Sequence, residues 1–319
     1  MISEFDIIRR YFSRPAPSAV LGVGDDCALL RPRAGTLLAV STDMMLAGTH
    51  FFADADPVSL GHKCLAVNLS DLAAMGADPR WAVLALALPE ADERWLSGFA
   101  EGFYRIAARH GIELVGGDTT RGPLTVSITV MGEVPEEFAL RRDAARAGDD
   151  IWVSGATGQA ALALEHLGGR TQLSEAARLA CLERLNVPEP RVELGRRLRG
   201  LAGCAIDVSD GLLADLTHIL EASGVGAEIW YEHIPRPPML ASCPDQDLVR
   251  QCVLAGGDDY ELLFAAPSSQ RAAIEALSGE IGLALTRIGT IVPGAPTAVL
   301  RDARGNALQV AVKGYDHFR

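Results

Sequence analysis

Apolar residues recur along this chain with two different periods, which together predict a mixture of strands and helices. Trp81–Leu88 is a continuous apolar run that ends before a proline, and Leu124–Val130 alternates apolar with polar residues, so both segments predict strands. Asp92–His110 lies between them and predicts a long helix that begins at an aspartate N-cap and ends before Gly111. Asp56 followed by a proline predicts the start of an earlier helix, which runs to about Met75.

The periodic pattern is interrupted between Val134 and Asp150, where proline, acidic residues, arginines and glycine replace it. Strands and helices alternate again beyond this segment. The interruption predicts two domains, residues 1–137 and 138–319. Both halves mix strands with helices, so the predicted fold class is α/β with mixed (α+β) sheets.

The charge balance narrows the classes of partner. The chain has 319 residues and a formal net charge of −12, which argues against nucleic acid as the main partner. A phosphorylated ligand remains compatible, because bound divalent cations reverse the local charge. Lys63 and Lys313 are the only lysines, and neither follows a glycine, so the sequence contains no P-loop.

The same sequence predicts a location in the cytoplasm. The six cysteines form no CxxC pair, which indicates scattered thiols in a reducing compartment. The N-terminus is acidic where a signal peptide is basic, and every apolar run is too short to span a bilayer. We therefore expect no membrane partner.

Six clusters of acidic residues, hydroxyls and glycines interrupt the apolar pattern, at what we predict to be strand ends. They are Gly22–Asp26, Ser41–Asp43, Asn68–Asp71, Gly116–Thr120, Asp207–Gly211 and Gly256–Glu261. Carboxylates and hydroxyls are the oxygen ligands that magnesium prefers, and glycines let backbone N–H groups approach an anion. Each cluster alone is also typical of a turn, a helix cap or a solvated helix residue. Together they predict several Mg²⁺ ions that bridge protein carboxylates to a polyphosphate.

Three further residues allow two interpretations each. His50 precedes two phenylalanines and is either a hydrogen-bonded buried histidine or a ligand. Tyr315 belongs to an aromatic C-terminal segment that either docks onto a core or covers a ligand. Arg142 pairs either with phosphate oxygens or with a surface carboxylate.

In this order and number, the motifs resemble the thiamine-monophosphate kinase family, within the superfamily of aminoimidazole ribonucleotide synthetase. The resemblance covers nearly the whole chain. The motifs that carry it are GVGDDCAL (22–29), STD (41–43), GTHF (48–51), NLSDLAAMGA (68–77), GGDTTRG (116–122), DVSDGL (207–212), GGDDYEL (256–262) and KGYDHF (313–318).

The resemblance implies a two-domain fold like that of aminoimidazole ribonucleotide synthetase. Its N-terminal domain would bind ATP and magnesium and pair with a second copy to form a homodimer. The implied activity is direct in-line transfer of the γ-phosphoryl group of ATP to thiamine monophosphate, assisted by several Mg²⁺ ions, with thiamine diphosphate and ADP as products. The acceptor phosphate is already an anion at neutral pH, so this transfer needs no general base.

The resemblance also implies site residues, position by position. The implied magnesium ligands are Asp26, Ser41, Thr42, Asp43, Asp71, Asp118, Asp207 and Asp210, among which Asp43, Asp118 and Asp210 are the implied catalytic residues. The implied ATP contacts are Gly117, Asp118, Arg142 and Ser209, and the implied substrate contacts are His50, Asp258 and Tyr315. The chain departs from the family at Asp258, where glutamate is usual, and at Met44, where threonine is common.

Other functions remain open from the residues. Another ATP-dependent enzyme of the superfamily, similar to aminoimidazole ribonucleotide synthetase, would share the fold, although the GGDTTRG and KGYDHF motifs disfavour it. A selenophosphate synthetase would carry a reactive cysteine and a lysine near its start, and residues 1–20 contain neither. A hydrogenase maturation protein of this superfamily ends in cysteine, whereas this chain ends in Phe318-Arg319. A magnesium-dependent phosphatase or a non-catalytic sensor would use similar acidic residues.

Overall fold

The computed structural model describes residues 2–308, which form two compact units. The first unit contains residues 2–72 and Ala77–Glu137. The second contains Ala73–Gly76 and residues 138–308. Tyr315 and the KGYDHF motif lie outside the described residues.

The first unit is a four-stranded mixed sheet with helices. Its helices are α1 (Glu4–Ile7), α2 (Pro57–Ala74) and α3 (Glu93–His110), and its strands are β1 (Thr36–Leu46), β2 (Asp78–Leu88), β3 (Glu113–Arg121) and β4 (Thr125–Pro135). The strand order is β1-β4-β2-β3. The β1–β4 and β4–β2 pairs are antiparallel, whereas β2 and β3 are parallel. The strands β1 and β3 are therefore the two edges of this sheet.

Local side-chain chemistry fixes the helix ends, as the sequence predicts. The Asp92 carboxylate accepts hydrogen bonds from the N–H groups of Arg94 and Trp95, at 2.7 and 3.3 Å. Gly111 ends the same helix at φ 67°, a left-handed conformation that suits glycine. Asp56 accepts from the N–H of Ser59 at 2.8 Å. The prediction that Asp56 and Asp92 cap helices is confirmed.

Alternation along the strands divides the sheet into two faces. Residues Ile128 and Val130 of β4 are buried on the face that also carries Ser41 and Asp43 of β1. The opposite face carries Val40 and Met44 of β1, whose exposed fractions are 58% and 57%. One face of the sheet thus packs into a hydrophobic core. The other face exposes apolar side chains of β1 to solvent.

The second unit is built around a six-stranded mixed sheet. Its helices are α4 (Gln159–Leu167), α5 (Glu175–Asn186), α6 (Val192–Arg197), α7 (Leu212–Ser223), α8 (Pro238–Ala241), α9 (Gln246–Ala255) and α10 (Arg271–Ile281). Its strands are β5 (Asp149–Ser154), β6 (Cys204–Asp207), β7 (Gly226–Trp230), β8 (Leu262–Pro267), β9 (Leu285–Val292) and β10 (Ala298–Arg301).

The strand order in this second sheet is β10-β7-β9-β5-β8-β6, and only β10 and β7 pair in parallel. Its core includes Val153, Leu216, Ile229 and Leu263, each less than 2% exposed. The prediction of two mixed sheets in an α/β fold is confirmed. Within residues 2–308, no helix is long and apolar enough to cross a membrane.

The predicted position of the polar clusters at strand ends is wrong for three of them. Ser41–Asp43 lies inside the 11-residue strand β1, and Gly116–Thr120 lies inside β3. Both are edge strands, where polar side chains reach solvent without breaking the hydrogen-bond ladder. Asn68–Asp71 lies in helix α2.

Candidate functional site

Two aspartates of the first unit face each other between β1 and α2. Asp43 projects from β1 and Asp71 from the last turns of α2, and burial together with the Asp71 charge raises the pKa of Asp43 to about 6. The Ser41 hydroxyl donates to the Asp71 carboxylate at 2.5 Å. The structure therefore brings together three of the predicted magnesium ligands.

Asn68 connects the helix to the strand beside this pair. Its side-chain oxygen accepts from the N–H of Asp43 at 3.2 Å, and its amide donates to the Cys64 carbonyl at 2.9 Å. The second bond fixes which end of the amide faces Asp43. Asn68 and Asp71 are three residues apart, so they lie on the same face of α2. Asn68 belongs to a predicted cluster, but the sequence assigned it no role.

Other predicted ligands of the first unit lie elsewhere on the sheet. The Thr42 hydroxyl contacts the Thr129 hydroxyl at 2.8 Å, on the face opposite Asp43. Asp118 lies on the edge strand β3, beside Ala85 of β2. Because β4 and β2 separate β1 from β3, and neighbouring strands lie about 4.8 Å apart, β1 and β3 are about 14 Å apart. One copy of the sheet does not place Asp43 and Asp118 together.

A cavity of about 870 Å³ opens beside β3 in the first unit. Asp25, Asp26, Cys27, Gly117 and Asp118 line it. Apolar side chains also line it, namely Phe5, Ile8, Phe12, Val83, Leu114 and Val115. Its size and mixed lining are typical of a small-molecule pocket.

His50 is held in a turn that follows β1. Its Nδ1 accepts from the N–H of Leu46 at 3.1 Å, so the neutral ring carries its proton on Nε2. The turn is closed by a bond from the N–H of Gly48 to the Phe51 carbonyl, at 2.8 Å. His50 is therefore a hydrogen-bonded, half-buried histidine whose Nε2 is a donor.

The predicted magnesium ligands of the second unit lie at the end of one strand and on the loop that follows it. Asp207 is the last residue of β6, and Ser209 and Asp210 follow it. The buried carboxylate of Asp215, in the first turn of α7, accepts from the N–H groups of Ser209, Asp210 and Gly211 at 3.0, 3.1 and 3.1 Å. Burial and the Asp210 charge outweigh these bonds and raise the pKa of Asp215 to about 7. Sequence analysis missed Asp215, although an aspartate four residues after a glycine at a helix start is a recognisable signal.

The loop that carries Asp258 runs beside the Asp207–Asp210 loop. The N–H of Asp258 donates to the Ser209 carbonyl at 2.9 Å, and the N–H of Tyr260 donates to the Val208 carbonyl at 2.8 Å. Arg142 lies in a separate short turn, Arg142–Ala144, whose first carbonyl accepts from the Ser223 hydroxyl at 2.7 Å. Asp258 and Ser209 are therefore held in one hydrogen-bonded pair of loops.

The oxygens of Ser41, Asp43 and Asp71 fit a cation whose remaining coordination positions are filled by a bound substrate or by water. Among residues 2–308, no three His, Cys, Asp or Glu side chains are grouped as a complete metal site. Magnesium commonly uses one or two carboxylates together with substrate phosphates and water. The facing carboxylates of Asp43 and Asp71, with the elevated pKa of Asp43, are the arrangement that such a cation stabilises.

Comparison with known proteins gives a consistent similarity along the chain. Residues 24–134 match the model of the AIR synthase related protein, N-terminal domain, and residues 146–301 match the model of its C-terminal domain. The chain is 43% identical to thiamine-monophosphate kinase from Salmonella typhimurium over 99% of this chain and 98% of that protein.

Solved structures show the same similarity in three dimensions. The crystal structure of thiamine-monophosphate kinase from Stenotrophomonas maltophilia superposes with a TM-score of 0.85 at 47% identity, over 95% of each chain. The structure of AaThiL complexed with AMPPCP and TMP superposes with a TM-score of 0.79 at 30% identity, over 90% of this chain and 89% of that one.

The neighbouring glycines of β3 give a matched test of this geometry. A Cβ on Gly117 would lie 1.9 Å from the Leu84 carbonyl oxygen, whereas a Cβ on Gly116 would meet nothing within 4 Å. We expect Gly117→Ala to lower the free energy of unfolding by about 1–3 kcal/mol, because β3 must move away from β2. Gly116→Ala should leave it unchanged or slightly higher. Urea unfolding of both variants measures the difference, and equal stability would contradict the close approach at Gly117.

Proposed function

The chain belongs to the thiamine-monophosphate kinase family of AIR synthase-related proteins, and we propose that it transfers the γ-phosphoryl group of ATP to the phosphate of thiamine monophosphate. The products are thiamine diphosphate and ADP. The full-length similarity to thiamine-monophosphate kinases carries this proposal. The AaThiL complex supports it, since that relative was crystallised with AMPPCP and TMP. Location in the cytoplasm stays a prediction.

In this reaction the protein must bind the negatively charged phosphate groups of ATP and of thiamine monophosphate and align them. The acceptor phosphate has a second pKa of about 6, so its attacking oxygen carries charge without help from a base. Bound Mg²⁺ would neutralise phosphate charge and orient the reacting groups. The eight implied ligands from Asp26 to Asp210 remain the proposed magnesium-binding residues. Among them, Asp43 and Asp71, with the Ser41 hydroxyl, are the best supported, because their oxygens converge on one place.

We assign the nucleotide to the cavity beside β3. Gly117 and Asp118, two of the proposed ATP contacts, line it, and its apolar wall suits a base and ribose. Ser209 and Arg142 remain proposed ATP contacts from the second unit. His50 offers an Nε2–H donor to the acceptor phosphate, and the Asp258 carboxylate offers a negative charge to the cationic thiazolium ring. Tyr315, the third proposed substrate contact, lies outside the described residues.

The activity test uses the purified chain with ATP, Mg²⁺ and thiamine monophosphate, and parallel reactions that lack one component each. We expect thiamine diphosphate and ADP in equal amounts only in the complete reaction, resolved by chromatography. Release of thiamine and phosphate without ATP would instead indicate a phosphatase. Nucleotide binding without any product would indicate a sensor or an enzyme of the superfamily with another substrate.

A second prediction concerns Asp43→Asn. We expect kcat to fall at least about 100-fold, because the substitution removes a charge that organises the reacting groups. The metal-free variant should be more stable than the wild type by about 1–2 kcal/mol at pH 8, since the neutral amide removes the cost of burying a charge and the repulsion from Asp71.

The pH dependence of this gain in stability follows from the raised pKa of Asp43. Asp43 is charged in both folded and unfolded states at pH 8, and its charge then opposes folding. As pH falls through about 6, the folded protein takes up a proton and the gain shrinks. Near pH 3 both states are protonated, and the gain vanishes. Urea unfolding with EDTA between pH 4 and 8 measures this, with exposed Asp54→Asn as the control. A gain in stability that does not depend on pH would contradict the raised pKa of Asp43.

We further propose that the enzyme is a homodimer in which two copies complete each site. Val40, Met44 and Leu46 expose an apolar patch on the open face of the first sheet, which suits a second copy of the same face. Asp43 and Asp118 lie on opposite edges of that sheet. A symmetric partner is able to bring its β3 edge to β1, so that the partner's Asp118 approaches Asp43 around the edge of the sheet.

Subunit complementation tests this arrangement. Asp43→Asn and Asp118→Asn chains, each with a different affinity tag, are co-expressed, and the mixed dimer is purified on both tags. One of its two sites then has both aspartates, so we expect about half of the wild-type kcat, whereas each parent dimer is inactive. A mixed dimer as inactive as its parents would show that each site uses both aspartates of one chain.

A further inference from the structure

The segment from Gly256 to Glu261 in the second unit is buried except at Gly257 and Asp258, which are half-buried. Asp259 and Glu261 are buried, with exposed fractions of 0% and 1%. Asp258, which lies between Gly257 and Asp259, is only half-buried. The segment thus holds two carboxylates inside the fold and presents a third one at its surface.

The backbone of this segment is strained at alternate residues. Asp258 has φ 64° and Tyr260 has φ 50°, and these are the only non-glycine residues with positive φ in the described part of the chain. A bulky side chain such as tyrosine is rare in this region because its Cβ crowds the backbone. Strained residues of this kind persist only where the surrounding contacts hold them, and they concentrate at functional sites.

The buried Glu261 carboxylate provides one of those contacts. Arg191 donates from Nε and Nη2 to its two oxygens, at 2.7 and 2.5 Å, and Arg184 of α5 donates to Oε1. The Ser154 hydroxyl, at the end of β5, donates to Oε2 at 2.5 Å. Gly155 leaves the space that this carboxylate fills, since a Cβ there would lie 2.2 Å from Oε1.

Asp259 and the neighbouring loop hold the rest of the segment. The Asp259 carboxylate accepts from the N–H of Gly158 at 2.7 Å, and its carbonyl accepts from Arg184 at 2.7 Å. On the other side, the N–H of Val208 donates to the Glu261 carbonyl at 2.8 Å. Arg184 therefore donates hydrogen bonds to two residues of the segment, namely to the Glu261 side chain and to the Asp259 backbone.

Tyr260 then acts on Asp258 directly. Its hydroxyl donates to Asp258 Oδ1 at 2.8 Å, although the ring itself is buried. This hydrogen bond joins the two residues that have positive φ. We propose that Tyr260 is a positioning residue, and that Arg184, Arg191 and Glu261 hold it so that its hydroxyl fixes the Asp258 carboxylate toward the cationic ring of the substrate. This inference rests on the proposed function, because it assigns Asp258 to thiamine monophosphate.

The side chain at this position is one methylene shorter than the family's usual glutamate. Aspartate reaches one methylene less far than glutamate, so its carboxylate depends more on the course of the backbone. Positive φ at Asp258 and the Tyr260 hydroxyl together determine where that carboxylate lies. We therefore expect the tyrosine to affect substrate binding more than turnover.

The first test is Tyr260→Phe, which removes one hydroxyl and keeps the ring. We expect the KM for thiamine monophosphate to rise about 3- to 10-fold, the usual effect of losing one hydrogen bond, with kcat and the KM for ATP changed less than about twofold. Tyr231→Phe is the matched control, because the buried Tyr231 hydroxyl has no hydrogen-bond partner among the described residues. It should leave all three constants unchanged.

The second test changes the anchor instead of the hydroxyl. Arg184→Lys keeps the charge, but the lysine Nζ ends short of the Nη2 position that donates to both Glu261 and Asp259, so the same KM should rise while the KM for ATP stays constant. Arg178→Lys, on the exposed side of the same helix, is its control. Thermal unfolding of every variant shows whether it is folded under the assay conditions.

The outcomes separate the inference from the proposed function. An active wild type with an unchanged KM for thiamine monophosphate in Tyr260→Phe would overturn the inference and leave the function standing. Equal increases in both KM values would also overturn it, because a general structural role predicts them. A wild type that makes no thiamine diphosphate would overturn both.

Discussion

The cost of burying negative charge governs both units of this protein. A carboxylate that is removed from water requires hydrogen-bond donors or a cation beside it. Without them, burial raises the pKa of the carboxylate. In the first unit, fully buried Glu133 is paired with Arg33 and Arg80. In the second, buried Asp150 is paired with Arg271 and Arg287. These pairs satisfy the charge within the chain, so they belong to the scaffold.

Arginine suits this purpose better than lysine. Its planar fork reaches both oxygens of one carboxylate, and it stays charged when partly buried. Glu261 shows the advantage, because Arg191 contacts both of its oxygens while Arg184 bridges to the backbone of Asp259. The near absence of lysine from the chain is consistent with a fold that holds its buried acids in this way.

The Asp43–Asp71 pair is treated differently. The Ser41 hydroxyl donates to the Asp71 carboxylate, whereas burial together with the Asp71 charge raises the pKa of Asp43 to about 6. Asp215 forms an intermediate case, because three backbone N–H groups satisfy it and thereby fix the loop of Asp210. The paired carboxylates thus position the loops, whereas the facing carboxylates of Asp43 and Asp71 are suited to binding a cation.

The sequence by itself determined the local features: the capped helix ends at Asp56 and Asp92, the apolar strands, the mixed α/β class and the family to which the motifs belong. Those depend on near neighbours and on motif order. Only the tertiary structure decided that Asp43 meets Asp71 while Thr42 faces the other way, that Asp118 lies on the far edge of the sheet, and that Asp215, Tyr260 and Glu261 support the loops. These relations depend on strand pairing and packing between residues distant in sequence, which no local pattern encodes.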